Sequence, residues 1–353
     1  MDLIIKPTEA CNFKCSFCSS TAIDPNNAGL LDLDYIFKFL KRYPDTNSLI
    51  INGGDPLMVK PEYYWKIIEH LDEHEYPAHI SFTSNLWPFY VKPEKWVDLF
   101  NHPRMGVCTS FQYGGGRLKG DFTEFTEKDF WDVSDAMLKY CGERPDFIAV
   151  LTDMNDYRAL DNVRLAKEMN VECKLNYAMA SGVQGSTYRL SKIYQIYLDV
   201  YDADLHHWEF NTKQMIRRLK GGFTTCPQNR KCDEGIRALN PGGDYYSCGS
   251  LGDDLDYPIN FEEEMNGPMQ TPLQNDPNIQ TMKMACYTCP MFEICNGCKK
   301  TVRDMKREGV VEAHCRQMKN NAPRILKLNG MDPTGVTPYV DESINHPDLL
   351  LQL

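Results

Sequence analysis

Leu3-Ile4-Ile5, and shortly after it Cys11-Asn12-Phe13-Lys14-Cys15-Ser16-Phe17-Cys18, is the stretch on which the fold turns. The apolar run reads as a strand, and the cysteines that follow form a C-x3-C-x2-C loop at its C-terminal end. Three thiolates on one short loop can hold three irons of a cubane 4Fe–4S cluster and leave the fourth iron without a protein ligand. A cluster that only carries electrons normally has four cysteines, so an open iron calls for another ligand. A zinc knuckle is the competing reading, but structural zinc closes with four ligands. The next histidines, His70 and His74, fall on a predicted helix instead.

Outward from this stretch the same unit repeats. Strand-like runs at 3–5, 49–51, 79–83, 105–110, 147–151 and 171–177 alternate with helical segments at 33–43, 62–73, 92–100, 128–140 and 161–169. In the first of these, Tyr35, Ile36, Phe39, Leu40 and Tyr43 line one helix face. Pro61 and Pro93 stand near helix starts, where proline is tolerated. Strands alternating with helices predict an α/β fold with a parallel sheet of right-handed crossovers. Six units suit a partial (β/α)6 TIM-like barrel with its site at the C-terminal strand ends. Polar groups gather at that end: Asn52-Gly53-Gly54-Asp55-Pro56, Thr83-Ser84-Asn85, Cys108-Thr109-Ser110, Gly114-Gly115-Gly116-Arg117 and Thr152-Asp153-Met154-Asn155.

After residues 188–222, read as connecting helices, the pattern changes. Residues 223–322 are read as a loop-rich domain, its core dependent on metal for folding energy. Its cysteines run Cys226-x5-Cys232, then Cys248, then Cys286-x2-Cys289-x5-Cys295-x2-Cys298, and finally Cys315. Eight thiolates make two complete four-ligand sites, and spacing alone leaves zinc and iron–sulfur both open. The acidic stretch 252–281 reads as an exposed insertion, and residues 323–353 as a C-terminal tail. Cys108, Cys141 and Cys173 remain, read as small buried hydrophobes.

The chain resembles the radical S-adenosylmethionine (SAM) enzymes. The resemblance rests on the cysteine loop with its aromatic before Cys18 and on Gly53-Gly54-Asp55-Pro56, a form of that superfamily's Gly-Gly-Glu-Pro motif; the placement of Ser84, Asn85 and Ser110 also fits. It implies that Cys11, Cys15 and Cys18 hold the cluster and that S-adenosyl-L-methionine chelates its open iron. Phe17 would lie by the adenine, Gly53, Gly54 and Asp55 near the amino group, and Ser110 near the ribose. Arg117 is assigned to the carboxylate from its charge and position. The later cysteines resemble the SPASM extension of radical SAM maturases, a cluster-stabilised C-terminal domain. That pattern implies one auxiliary 4Fe–4S cluster on Cys226, Cys232, Cys248 and Cys298, and a second on Cys286, Cys289, Cys295 and Cys315, three clusters in all. One departure is the Cys295–Cys298 spacing, one residue shorter than usual.

The implied chemistry is reductive cleavage of SAM to methionine and a 5′-deoxyadenosyl radical, which takes hydrogen from a peptide or protein substrate. Electrons would come from a donor such as flavodoxin or ferredoxin. The cysteine framework also resembles the anaerobic sulfatase-maturating enzymes, but Gly249 stands where those carry an aspartate base; crosslinking or another peptide modification is therefore ranked ahead. Only ten residues precede Cys11, so peptide recognition is expected to use a separate leader-binding protein, the barrel rim or the tail. A radical SAM dehydrogenase acting on a small molecule, and a non-catalytic metal-binding or electron-transfer module, stay open as alternatives.

Composition narrows the classes. The 353 residues are 42% hydrophobic and 25% charged, with 38 Lys and Arg against 49 Asp and Glu, a net charge of −11. That balance argues against nucleic acid, whose phosphates need a basic face. No signal peptide or membrane span is evident, and fourteen cysteines without an export signal suit metal ligation in a reducing cytoplasm.

Overall fold

The computed structural model describes residues 1–20, 29–184, 188, 192–219, 235–264 and 299–331. Six parallel strands follow the expected alternation: β1 Asp2–Ile5, β2 Ser48–Ile51, β3 His79–Thr83, β4 Met105–Ser110, β5 Asp146–Leu151 and β6 Cys173–Tyr177. Two more, β7 Ile236–Leu239 and β8 Tyr245–Tyr246, complete one open sheet of order β6-β5-β4-β3-β2-β1-β7-β8. All pairings are parallel except β7 with β8. Register is set by apolar rows such as Leu3↔Leu49 and Ile51↔Phe82.

Along these strands burial alternates. Leu3, Ile5, Leu49, Ile51, Ile80, Phe82, Phe147, Ala149 and Leu151 are wholly buried. Ile4, Ile50, Ser81, Ile148 and Val150 between them are only half-buried. Because successive side chains point to opposite faces, the first set packs under the helices and the second faces the sheet's other, more open side.

The helices begin and end on local chemistry. Leu33–Arg42 is capped by Asp32, which accepts from Asp34 N at 3.0 Å. Glu127–Cys141 has a capping box between Thr126 and Asp129 and stops at Gly142. The segment expected to be one helix over 92–100 is broken: Trp87–Val91 and Val97–Phe100 flank a tight turn at Pro93–Lys95. Lys92 there is non-helical, as the residue before a proline favours.

Beyond residue 223 the described residues are less loop-like than expected. Besides β7 and β8, helices run over Gly249–Asp254, Lys299–Arg307 and Val311–Leu328. The last contains Pro323, so residues 323–328 are helical rather than tail. The start of the acidic stretch, residues 252–264, also differs from an exposed insertion, because Asp253 and Asp254 enter ion pairs with the buried Lys6, Lys300 and Arg303. Cys226, Cys232, Cys286, Cys289, Cys295, Cys298 and the end of the tail lie outside the described residues. Cys173 is fully buried, as a small hydrophobe, while Cys108 and Cys141 are half-buried.

Candidate active site

The cysteine loop leaves the C-terminal end of β1 and is gripped from three sides. On the first, Gly54 N and Asp55 N donate to the carbonyls of Thr8 and Ala10 at 3.0 and 2.8 Å. The approach is so close that a Cβ on Gly53 would sit 2.5 Å from Thr8 O, and one on Gly54 2.3 Å from Ala10 O. Gly53 also has φ +119°, a conformation that glycine alone adopts at little cost. The glycine pair thus braces the loop against β2. On the second side, Lys14 N and Ser16 N donate to Leu118 O and Gly116 O at 2.8 and 2.9 Å. On the third, Val183 N donates to Cys18 O at 3.0 Å. Phe13 is buried against Phe125 and anchors the loop in the core. Cys11, Cys15 and Cys18 are left half-buried.

Asp55 is wholly buried and turned inward. It accepts from Leu57 N at 2.9 Å, from Ser84 Oγ at 3.0 Å and from Asn85 N at 2.9 Å. Burial raises its pKa to about 6, although these bonds pull the other way. Asn85 passes the connection on, donating through Nδ2 to Asn12 Oδ1 at 2.7 Å. Asp55, Ser84 and Asn85 therefore form one brace that reaches the cysteine loop through Asn12. Asn12 escaped the sequence reading, although it lies inside the motif.

Arg117 is the charged member of the site. It is buried, donates to Ser110 Oγ at 2.9 Å and to Gln112 Oε1 at 2.8 and 3.1 Å, and stacks 5.3 Å above the Phe17 ring. Burial lowers its pKa, and Cys15, Cys11 and Cys18 oppose that shift. Among the described residues no carboxylate pairs with it. A buried cation beside three cysteine sulfurs, held only by neutral groups, fits an anionic cluster and a ligand carboxylate. Gln112 was another residue the sequence gave no reason to select.

The C-terminal segment reaches this mouth through charges. Lys6, buried just after β1, pairs with Asp253, whose charge also acts on Cys18. Asp254 accepts from Ser181 Oγ at 2.7 Å and pairs with Lys300 at 2.6 Å and Arg303 at 2.7 Å. Burial would raise the Asp254 pKa, but these partners outweigh it and leave it lowered. A cavity of about 450 Å³ opens here, between Ser181, Gly182, Asp254, Asp256 and Asp304. Cys248 and Cys315, farther along the segment, are half-buried.

The matched family model is that of the Radical SAM superfamily, over residues 5–116, spanning the cysteine loop, the glycine pair and Gly116. The chain carries a radical SAM domain. Such a domain implies a 4Fe–4S cluster and SAM. No curated protein sequence matches significantly. Among solved structures, anSMEcpe with bound AdoMet superposes with a TM-score of 0.71 at 17% identity, covering 99% of this chain and 98% of that one. The same protein with AdoMet and a Cp18Cys peptide gives 0.68 at 16% identity, over 93% and 98%. Streptococcus suis SuiB bound to its precursor peptide SuiA gives 0.59 at 15% identity, over 86% and 72%. At these identities the likeness is one of fold. Among the described residues no helix is long and apolar enough to cross a membrane.

Proposed function

We propose that this protein is a radical SAM enzyme that modifies a peptide or protein, with three 4Fe–4S clusters. The observation that carries the reading is the buried Arg117, poised among neutral partners beside the Cys11, Cys15 and Cys18 sulfurs. Those cysteines would hold the first cluster, and Arg117 would receive the SAM carboxylate. Phe17, beneath the guanidinium, offers a face to the adenine. Ser110 is assigned to the ribose, and the Gly53-Gly54 backbone to the amino group. Asp55, Ser84 and Asn85 act by holding Asn12 and the glycine turn still, with the Asp55 carboxylate fully engaged inside the protein.

When bound, cluster and SAM supply reductive cleavage and a carbon-centred hydrogen abstractor, chemistry that belongs to the cofactors. The chain's own part is orientation and exclusion of water. The apolar half-buried residues Ile4, Ile50, Ile148 and Val150 suit the exclusion of water from that face of the sheet. What favours a peptide as substrate is the shared fold with anSMEcpe and SuiB, both solved with peptides bound. The SPASM assignment for Cys226, Cys232, Cys248, Cys298 and for Cys286, Cys289, Cys295, Cys315 rests on the cysteine series itself.

Anaerobic reconstitution tests the reading. Expected are about twelve irons per chain, and 5′-deoxyadenosine on reduction with SAM. Iron near zero with stoichiometric zinc overturns it. Mass spectrometry of peptides co-expressed with the enzyme then identifies the modified bond.

A further inference from the structure

At the end of the sheet opposite the cysteine loop, the helix Pro61–Glu73 closes with His70-Leu71-Asp72-Glu73-His74. His70, Glu73 and His74 fall at i, i+3 and i+4, so their side chains share one face. One ligand atom from each lies within 4.8 Å of the others. The two imidazoles are 4.2 Å apart, and each is held by an aromatic neighbour. His70 stacks on Phe37 at 3.9 Å and 20°, and His74 on Tyr76 at 5.5 Å and 9°.

The surroundings complete the preparation. His74 Nδ1 lies 3.1 Å from His70 O, a contact that places the proton on Nδ1 and leaves the Nε2 lone pair outward. Such a second hydrogen bond is what orients a metal-binding histidine. His70 Nε2 is buried with no hydrogen-bond partner among the described residues. Asp72 is taken by Arg104 at 2.8 Å, which leaves Glu73 as the available carboxylate. Arg104 also donates to the carbonyls of Tyr76 and Ala78, both at 2.9 Å, fixing the turn that carries Tyr76. The helix C-terminus, at the negative end of the helix dipole, favours a cation.

We propose that His70, Glu73 and His74 form a separate site for a divalent transition metal of the zinc type. Two imidazoles and one carboxylate select Zn²⁺, Ni²⁺ or Co²⁺ over Mg²⁺ or Ca²⁺, which prefer all-oxygen sites. An ion there clamps the last turn of the helix, whose His74 packs on Tyr76 in the turn leading into β3. The start of the same helix is linked to the glycine motif, since Tyr64 OH donates to Pro56 O at 2.6 Å.

The test is calorimetric titration of the anaerobically purified full-length protein with Zn²⁺ alone, comparing wild type with His74→Ala, His70→Gln and Glu73→Gln. The expected result is a site weakened at least about tenfold by either histidine change and less by the glutamate change. Zinc should raise the unfolding midpoint of wild type and not that of His74→Ala. Zinc taken up by cysteines would ignore these substitutions. Unchanged affinity in both histidine variants, each folded as judged by circular dichroism, overturns the proposal.

Discussion

The sheet from β1 to β6 and the segment from Ile236 to Met331 hold together by different means. The first is a run of local units, each strand packed under the helix that follows it, with apolar rows in register. The second joins the first through one parallel pairing, β1 with β7, through the stacking of Tyr245 and Phe261 on Phe39, and through charge. Lys6–Asp253 ties it beside the cysteine loop, while Asp254, Asp256, Lys300, Arg303 and Asp304 pair with one another inside the segment. Apolar packing tolerates a local error, whereas removing one member of a buried charge group leaves another uncompensated.

The comparison can be broken or sharpened experimentally. The largest effect is expected from Cys15→Ala, which should reduce 5′-deoxyadenosine formation to background while leaving the sheet folded by circular dichroism. Next comes Asp55, buried in the first region. Its folded pKa of about 6 lies above the ordinary 3.8, so folding favours the protonated form. Its stabilising contribution is present in full below about pH 4 and is lost as pH rises through about 6, about 3 kcal/mol in all. Urea unfolding from pH 4.5 to 7.5 should show this fall in wild type and a flatter profile in Asp55→Asn.

A smaller cost, about 2 kcal/mol, is expected for Asp254→Ala, because Lys300 and Arg303 keep Asp304 and Asp256 as partners. Hydrogen exchange should quicken in Lys299–Arg307 and not in β2 to β5. Quickening spread evenly over both regions would mean that they unfold as one. Arg117→Lys keeps the charge but loses the fork that spans Ser110 and Gln112. SAM affinity should weaken about tenfold, or about 1.4 kcal/mol, measured by equilibrium dialysis.

Much of the first region was legible because its signals are local. The strand over 79–83 and the one over 105–110 were read to the residue, since apolar runs bounded by turns leave little choice. Helix ends differ by a residue, Leu33–Arg42 against 33–43 and Glu127–Cys141 against 128–140, because the caps at Asp32, Thr126 and Gly142 are not part of the sequence reading. The break at Pro93 was missed because proline is compatible with a helix start as well as with a turn. Strand β7 was missed because Ile236-Arg237-Ala238-Leu239 is a strand only in the presence of β1. Nothing nearby in sequence marks Arg237 as buried.

The site divides in the same way. Cysteine spacing and the glycine pair, being short-range requirements of a ligand loop and a close backbone approach, identified the radical SAM domain from sequence alone. That the Asp55 carboxylate faces Ser84 and Asn85, that Arg117 lies over Phe17, and that Asp253 meets Lys6 depend on residues 29, 100 and 247 positions apart in the chain. Such partners are chosen by the packing of the whole sheet, because burial leaves a charge or polar group only the neighbours that the fold brings to it.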